Sequence, residues 1–385
     1  MSDTDAPPFV DPLPLAQALI QRPSVTPADA GALDLLQGEL EKLGFRAKRY
    51  KFGEVDNLYA RLGDAAPNFL FAGHTDVVPP GDGWARDPFS GAVEDGVLHG
   101  RGASDMKAAI AAMVTGVESF LAQHGKPNGS ISFLITGDEE GPCTDGTQRV
   151  LPILAAEGER FDHCLVGEPT SATWSGDCVK NGRRGSLNCV ITMEGAQGHV
   201  AYPKQAKNPV TPLLMALGEI KARGLDDGAP GFQPSNLEVT TIDVGNPTHN
   251  IIPARASAKL NIRFNTAHTG DDLCAWLQEI VERHAQAAGA KANIDSKVTG
   301  HPFYTKPCAF TDNIVASARE HFRVETQLST SGGTSDARFI KDYCPVAELG
   351  LLNTTAHKVD ENVAVEDVRK LARCYADILG RYFAA

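Results

Sequence analysis

Residues 68–76, NFLFAGHTD, read as a strand that ends abruptly in a histidine and an aspartate. NFLFAG carries no charge and is mostly apolar, the composition of a strand covered on both faces, as in the parallel sheets of α/β proteins. The pattern recurs along the chain. SISFLIT (130–136) leads into Gly137, Asp138, Glu139 and Glu140; HCLVG (163–167) leads into Glu168; VAELGLLNTTA (346–356) leads into His357. In an open α/β sheet the carboxyl ends of parallel strands line the ligand crevice, so these polar groups can meet in space although they lie far apart in sequence.

The segments between these strands have helical periodicity. PLAQALIQ (14–21) and ADAGALDLLQGELEKLGF (28–45) read as helices. DMKAAIAAMVTGVESFLAQHG (105–125) places apolar residues at 106, 110, 113, 114, 117, 120 and 121, a helix packed by one face and ended by Gly125. From residue 182 the order changes to strand (SLNCVITMEG), helix (VTPLLMALGEIKARG), strand (LEVTTIDVG), strand (SAKLNIRFN), helix (TGDDLCAWLQEIVERHAQAAG) and strand (ANIDSKV). That is the β-α-β-β-α-β order of a ferredoxin-like unit. The expectation is an α/β catalytic domain with a mixed, largely parallel sheet over 1–181 and 298–385, interrupted by an inserted domain over 182–297. The helix-like AFTDNIVASAREHF, the strand-like CPVAELGL and the final helix VEDVRKLARCYADILGRYF complete the first domain.

With 385 residues, 42% of them hydrophobic, the chain can bury a full core. A net charge of -12 opposes nonspecific binding to nucleic acid or to an anionic membrane, and an anionic small substrate needs a local basic patch. The opening MSDTDAPPFV lacks the basic start and apolar run of a signal peptide, and no later run reaches membrane-span length, which points to the cytoplasm. Eight cysteines without CxxC spacing suggest buried free thiols rather than a disulfide framework or a thiolate zinc site. There is no GxSxG elbow, and no cysteine has an evident paired base, so a Ser or Cys nucleophile is disfavoured.

Taken singly, each polar residue has an ordinary reading. Asp105 in GRGASDMK would be a helix N-cap, Glu139 and Glu140 an acidic turn, and Glu168 a loop carboxylate. Two histidines and three of these carboxylates make the set that two divalent ions need: an imidazole and a terminal carboxylate each, with one carboxylate bridging ions ~3.5–4 Å apart. Nitrogen and oxygen ligands without thiolate suit zinc, with cobalt or manganese as substitutes. Asp76, two residues after His74, reads as a carboxylate that orients the imidazole, with a surface-turn role still open.

The stretch GHTDVVPPGDGWARDPFSGAVEDGVLHGRGASDMK (73–107) resembles the signature of the di-zinc deacylase and exopeptidase family. TGDEEG, GEPT, GAQGHVAYP, SGGTSDARFI and the HK of TTAHKVDE resemble further blocks of that family in the same order. The resemblance implies His74 and His357 as terminal imidazole ligands, Asp105 as the bridge, Glu140 and Glu168 as terminal carboxylates, Glu139 as general base, and two zinc ions per subunit. It also implies that the inserted domain is a lid that dimerises, with His199 of GHVAYP reaching across the dimer to stabilise an oxyanion. VKNGRRGS with Arg183 and Arg184, Arg263 in LNIRFN, and Thr334 and Arg338 in SGGTSDARFI resemble a member acting on a small anionic acyl amino acid. Guanidiniums suit its carboxylates and supply the basic patch. Arg183 and Arg338 are expected to face ligand; paired arginines on a turn are more often solvated, which weakens the case for Arg184. Tyr202, Asn250, Gly333 and Thr334, within the stretch Ser331 to Thr334, are further expected contacts. His249 departs from relatives that carry Asn there. A sibling activity on another acyl amino acid stays open, and so does a metal-dependent binding protein without catalysis.

Overall fold

The computed structural model describes residues 9–384. Most of the opening segment read above for a signal peptide lies outside the described residues. The chain divides into two compact units, one running to Asn181 and resuming over Thr305–Ser329 and from Ser335 on, the other comprising Gly182–Tyr304 and Thr330–Thr334. The five residues 330–334, assigned from sequence to the first domain, group with the second unit, as do residues 298–304.

The first unit is built on an eight-stranded sheet in the order Arg46–Phe52, Val55–Leu62, Ser130–Thr136, Asn68–His74, His163–Val166, Val346–Glu348, Cys178–Lys180, Gln327–Ser329. The four strands from Ser130–Thr136 to Val346–Glu348 are mutually parallel, and the outer pairings include antiparallel ones. Every residue of Asn68–His74 and Ser130–Thr136 is buried, as expected of apolar runs covered on both faces. Arg46–Phe52, not anticipated from sequence, is an edge strand whose charged alternation, RAKRYKF, keeps its outer face in water.

Helices cover this sheet. Lys107–His124 packs on the last helix, Val365–Ala384, and ends at Gly125 as the pattern predicts. A Cβ on Gly116 would stand 2.9 Å from the Ala372 carbonyl and 3.0 Å from Tyr375 Cβ, so the close approach of the two helices requires glycine. One expectation needs correction, and one ordinary reading falls away. The helix read from residue 28 begins at Ala32, because Ala30 and Gly31 are left-handed and Asp29 accepts the Gly31 and Leu33 N–H groups. Asp105 is not the cap of the long helix, which starts at Lys107 with no side-chain cap; its carboxylate is turned to two histidines instead.

The second unit has the predicted order, with strands Gly185–Glu194, Asn236–Asp243, Arg255–Phe264 and Lys291–Gly300 and helices Val210–Ala222 and Gly270–Ala287. Its antiparallel sheet runs Asn236–Asp243, Arg255–Phe264, Gly185–Glu194, Lys291–Gly300, the ferredoxin-like arrangement. Among the described residues no helix is long and apolar enough to cross a membrane. All eight cysteines are free; five are buried, but Cys308 is exposed, contrary to the expectation of buried thiols throughout.

Candidate metal centre

Strand register brings the first candidate ligands level. Ala72 pairs with Val166, so His74 and Glu168, each two residues further on, leave the sheet side by side, while Thr136 opposite His74 launches the turn with Glu139 and Glu140. His74 Nε2 lies 3.2 Å from Asp105 Oδ1 and 3.5 Å from Glu168 Oε1. His357 Nε2 lies 3.2 Å from Asp105 Oδ2 and 2.8 Å from Glu140 Oε1. Asp105 thus gives one oxygen to each imidazole, and each imidazole has its own second carboxylate. His74, Asp105 and Glu140 offer ligand atoms within 4.8 Å of one another, as do His74, Glu139 and Glu168.

The electrostatics of the cluster fit cations. Burial alone would lower the His74 pKa, yet the carboxylates of Asp105, Glu168 and Asp76 hold it well above the usual imidazole range. Hydrogen bonds to Asp105 and Glu140 push His357 up to about 10. Burial raises Glu168 well above the carboxylate range, reinforced by the charges of Asp105 and Glu139. Burial likewise lifts Glu139 to about 8. Burial makes a bare charge on Glu139 and Glu168 costly, and a divalent ion would offset the same cost. Glu168 Oε1, buried and without a hydrogen-bond partner, points to the same conclusion. The donor set is imidazole nitrogen and carboxylate oxygen, which suits zinc and its neighbours.

Asp76 works differently from the expectation. His74 Nδ1 meets the backbone carbonyl of Asp76 at 2.9 Å, whereas the carboxylate oxygen is 3.6 Å away, too far for a hydrogen bond. The carboxylate instead accepts the N–H of Glu139 at 3.2 Å and of Glu140 at 3.1 Å. It orients the acidic turn, and the main chain orients the imidazole. Thr26 Oγ1 donates to Asp76 Oδ2 at 2.7 Å, a contact that no local sequence signal announces. Asp336 was also missed; burial pushes its carboxyl up to about 6, moderated by Thr147 and by the charge of Arg338. An acid two residues before an expected ligand-facing arginine was the available signal. The Arg338 guanidinium stacks on Phe339 at 4.6 Å.

The remaining expected contacts belong to the second unit. His199 sits in a two-residue strand opposite Ile251, its Nδ1 accepts the Ala201 N–H at 3.0 Å, and its ring is 5.7 Å from that of Tyr202. The Asn250 carbonyl accepts the Val200 N–H, so His199, Tyr202 and Asn250 share one loop cluster. Arg183 is buried and donates to the Gly333 carbonyl at 3.1 Å, beside Thr334. Gly332, at φ +106°, leaves the room that this guanidinium uses. Arg184 is engaged by the Pro234 carbonyl and Asn236 Oδ1, and burial lowers the pKa of Arg263.

Comparison with known proteins gives the cluster its context. The chain is 59% identical over 377 residues to the succinyl-diaminopimelate desuccinylase of Maricaulis maris (strain MCS10), covering 97% of this chain and 96% of that one. It is 58% identical over 378 residues to the enzyme of the same name from Caulobacter vibrioides (strain NA1000 / CB15N), covering 98% and 97%. Among solved structures, aminopeptidase PepT from Bacillus cereus ATCC 10987 matches with a TM-score of 0.80 at 19% identity over 97% of this chain and 98% of that one. The Bacillus subtilis YXEP protein, described as a dinuclear metal binding peptidase from the M20 family, matches with a TM-score of 0.71 at 14% identity over 96% and 97%. The model of peptidase family M20/M25/M40 matches residues 70–381, the span that holds His74, Asp105, Glu139, Glu140, Glu168 and His357, and the chain belongs to that family.

Proposed function

We propose that this chain is a metal-dependent amide hydrolase that converts N-succinyl-LL-2,6-diaminopimelate and water to succinate and LL-2,6-diaminopimelate, a step of lysine and diaminopimelate biosynthesis. The observation that carries the reaction class is the division of Asp105 between His74 and His357, each with its own second carboxylate. The substrate rests on the names of relatives at 58–59% identity over nearly the whole chain.

In this reading His74, Glu168 and Asp105 would hold one zinc ion, and His357 and Glu140 would hold a second with Asp105 shared between them. When bound, such ions polarise an amide carbonyl and lower the pKa of water. Glu139, fixed by its N–H to Asp76, takes a proton from the attacking water as the new C–O bond forms. It then delivers that proton to the amine nitrogen as the C–N bond breaks. His199, reaching across a pair of copies, would donate to the developing oxyanion, while Arg183, Arg263 and Arg338 would receive the substrate carboxylates, with Tyr202, Asn250, Gly333 and Thr334 as further contacts. Two copies associate through the second unit. Its strand Asn236–Asp243 is paired on one side only among the described residues, and the unit exposes Leu214, Met215 and Ile242. A biosynthetic role supports a cytoplasmic enzyme.

The test is release of free amine by zinc-loaded protein from N-succinyl-LL-diaminopimelate and from N-acetyl-ornithine at equal concentration. Strong preference for the succinyl substrate, abolished by a chelator, is expected. Preference for the acetyl substrate would keep the metal chemistry and overturn the substrate assignment. No hydrolysis of any acyl amino acid would leave a metal-dependent binding protein.

A further inference from the structure

We infer that Glu361, locked to Arg101, is a positioning residue that sets the spacing between the chain segment carrying Asp105 and the segment carrying His357. The inference rests on the reading of this cluster as a metal centre. Both side chains are buried, Glu361 fully, in a place where an unneeded charge would be costly. All the nearby donors come from the Asp105 segment. Glu361 Oε1 accepts the N–H of Ser104 at 2.8 Å and of Asp105 itself at 3.0 Å. Oε2 accepts Arg101 Nη1 at 2.7 Å and the Gly102 N–H at 3.1 Å. The loop 101–105 therefore wraps its N–H groups around a carboxylate as such loops wrap around bound anions. The anion here is a side chain four residues beyond His357.

Arg101 ties the other end. Its Nη2 reaches the Pro80 carbonyl at 3.2 Å and lies 3.5 Å from the carbonyl of His357, while its guanidinium faces the Trp84 ring at 5.2 Å. His357 holds a left-handed backbone, φ 61°, a conformation that a histidine keeps only when its surroundings impose it. The neighbouring strands Val97–His99 and Asn362–Ala364 are paired by backbone hydrogen bonds, which fixes the two segments at residues 99 and 362. That pairing stops short of Asp105. The carboxylate extends the clamp across the remaining residues to the ligand's own N–H.

If Glu361 only staples the fold, its loss lowers stability equally with and without metal. If it positions two ligands, its loss weakens metal binding in protein that remains folded. The experiment is titration of metal-stripped wild type and Glu361→Gln with Co2+, following affinity, the visible absorption spectrum and the metal-induced rise in melting temperature. The amide keeps the shape but presents N–H groups to the Arg101 and Gly102 donors. The expected result is about 10–100-fold weaker Co2+ binding, an altered spectrum and a smaller metal-induced rise. Unchanged affinity and spectrum would overturn the inference. Absence of Co2+ binding by wild type would overturn the metal reading and this inference with it. If Glu361→Gln does not unfold cooperatively, Arg101→Lys decides by the same criteria, since lysine keeps the charge pair but cannot also span the Pro80 and His357 carbonyls.

Discussion

Asp76 and Glu139 show how one carboxylate fixes the direction of its neighbours in this cluster. Glu139 and Glu140 are adjacent, yet Glu140 faces His357 while Glu139 lies with His74 and Glu168, because Asp76 holds both backbone N–H groups and fixes the turn. Glu139→Gln is expected to bind metal as wild type does while turnover falls by about 10²–10⁴-fold, the usual worth of a positioned general acid–base. Metal analysis beside a kcat measurement checks it, and normal turnover with full metal content would remove Glu139 from that role. Asp76→Asn presents an amide where two N–H groups seek acceptors, and is expected to lower metal affinity by about 10–100-fold; a competition assay with a coloured chelator reads this. Most of the candidate ligands were legible because His74, Glu140, Glu168 and His357 lie shortly beyond apolar strands, while Asp105 stands just before the long helix. The role of Asp76 was not, since sequence spacing cannot tell a carboxylate from the carbonyl of the same residue. Thr26 and Glu361 were invisible for a related reason: their partners lie on distant segments, and nothing local marks them.

At the level of elements, the parallel strands were readable because burial on both faces leaves no polar alternation, and all seven residues of Asn68–His74 and of Ser130–Thr136 are buried. Element starts were less readable. Ala28–Gly31 continues a helical pattern, but Asp29 captures the N–H groups of Gly31 and Leu33 and the chain turns before Ala32. The edge strand Arg46–Phe52 escaped notice because its charged alternation looks like exposed loop. Helix packing yields a prediction of its own. Gly116→Val forces a side chain toward the Ala372 carbonyl and Tyr375, and overpacking of this kind costs about 1–3 kcal/mol. Urea unfolding of the variant checks it, and an unchanged midpoint would mean that the two helices can separate freely.

For the whole molecule, the inserted second unit was legible as a run of six elements in order, which local periodicity supplies. Its exact limits were not, because residues 330–334 join it from a distant part of the chain. Its one-sided edge strand and exposed Leu214, Met215 and Ile242 support the proposed pairing of two copies. Met215→Glu with Ile242→Lys is expected to give a monomer in sedimentation, because charges on an apolar contact face and on an edge strand oppose association. An unchanged dimer would move the contact elsewhere, and a monomeric wild type would remove it. The metal centre is the part on which everything else depends, and zinc titration of the metal-stripped protein by calorimetry probes it most directly. Two ions per chain are expected for wild type, with both weakened together by Asp105→Ala, the one residue shared between the two imidazoles; a single ion, or loss of one site with the other untouched, would contradict a bridging Asp105.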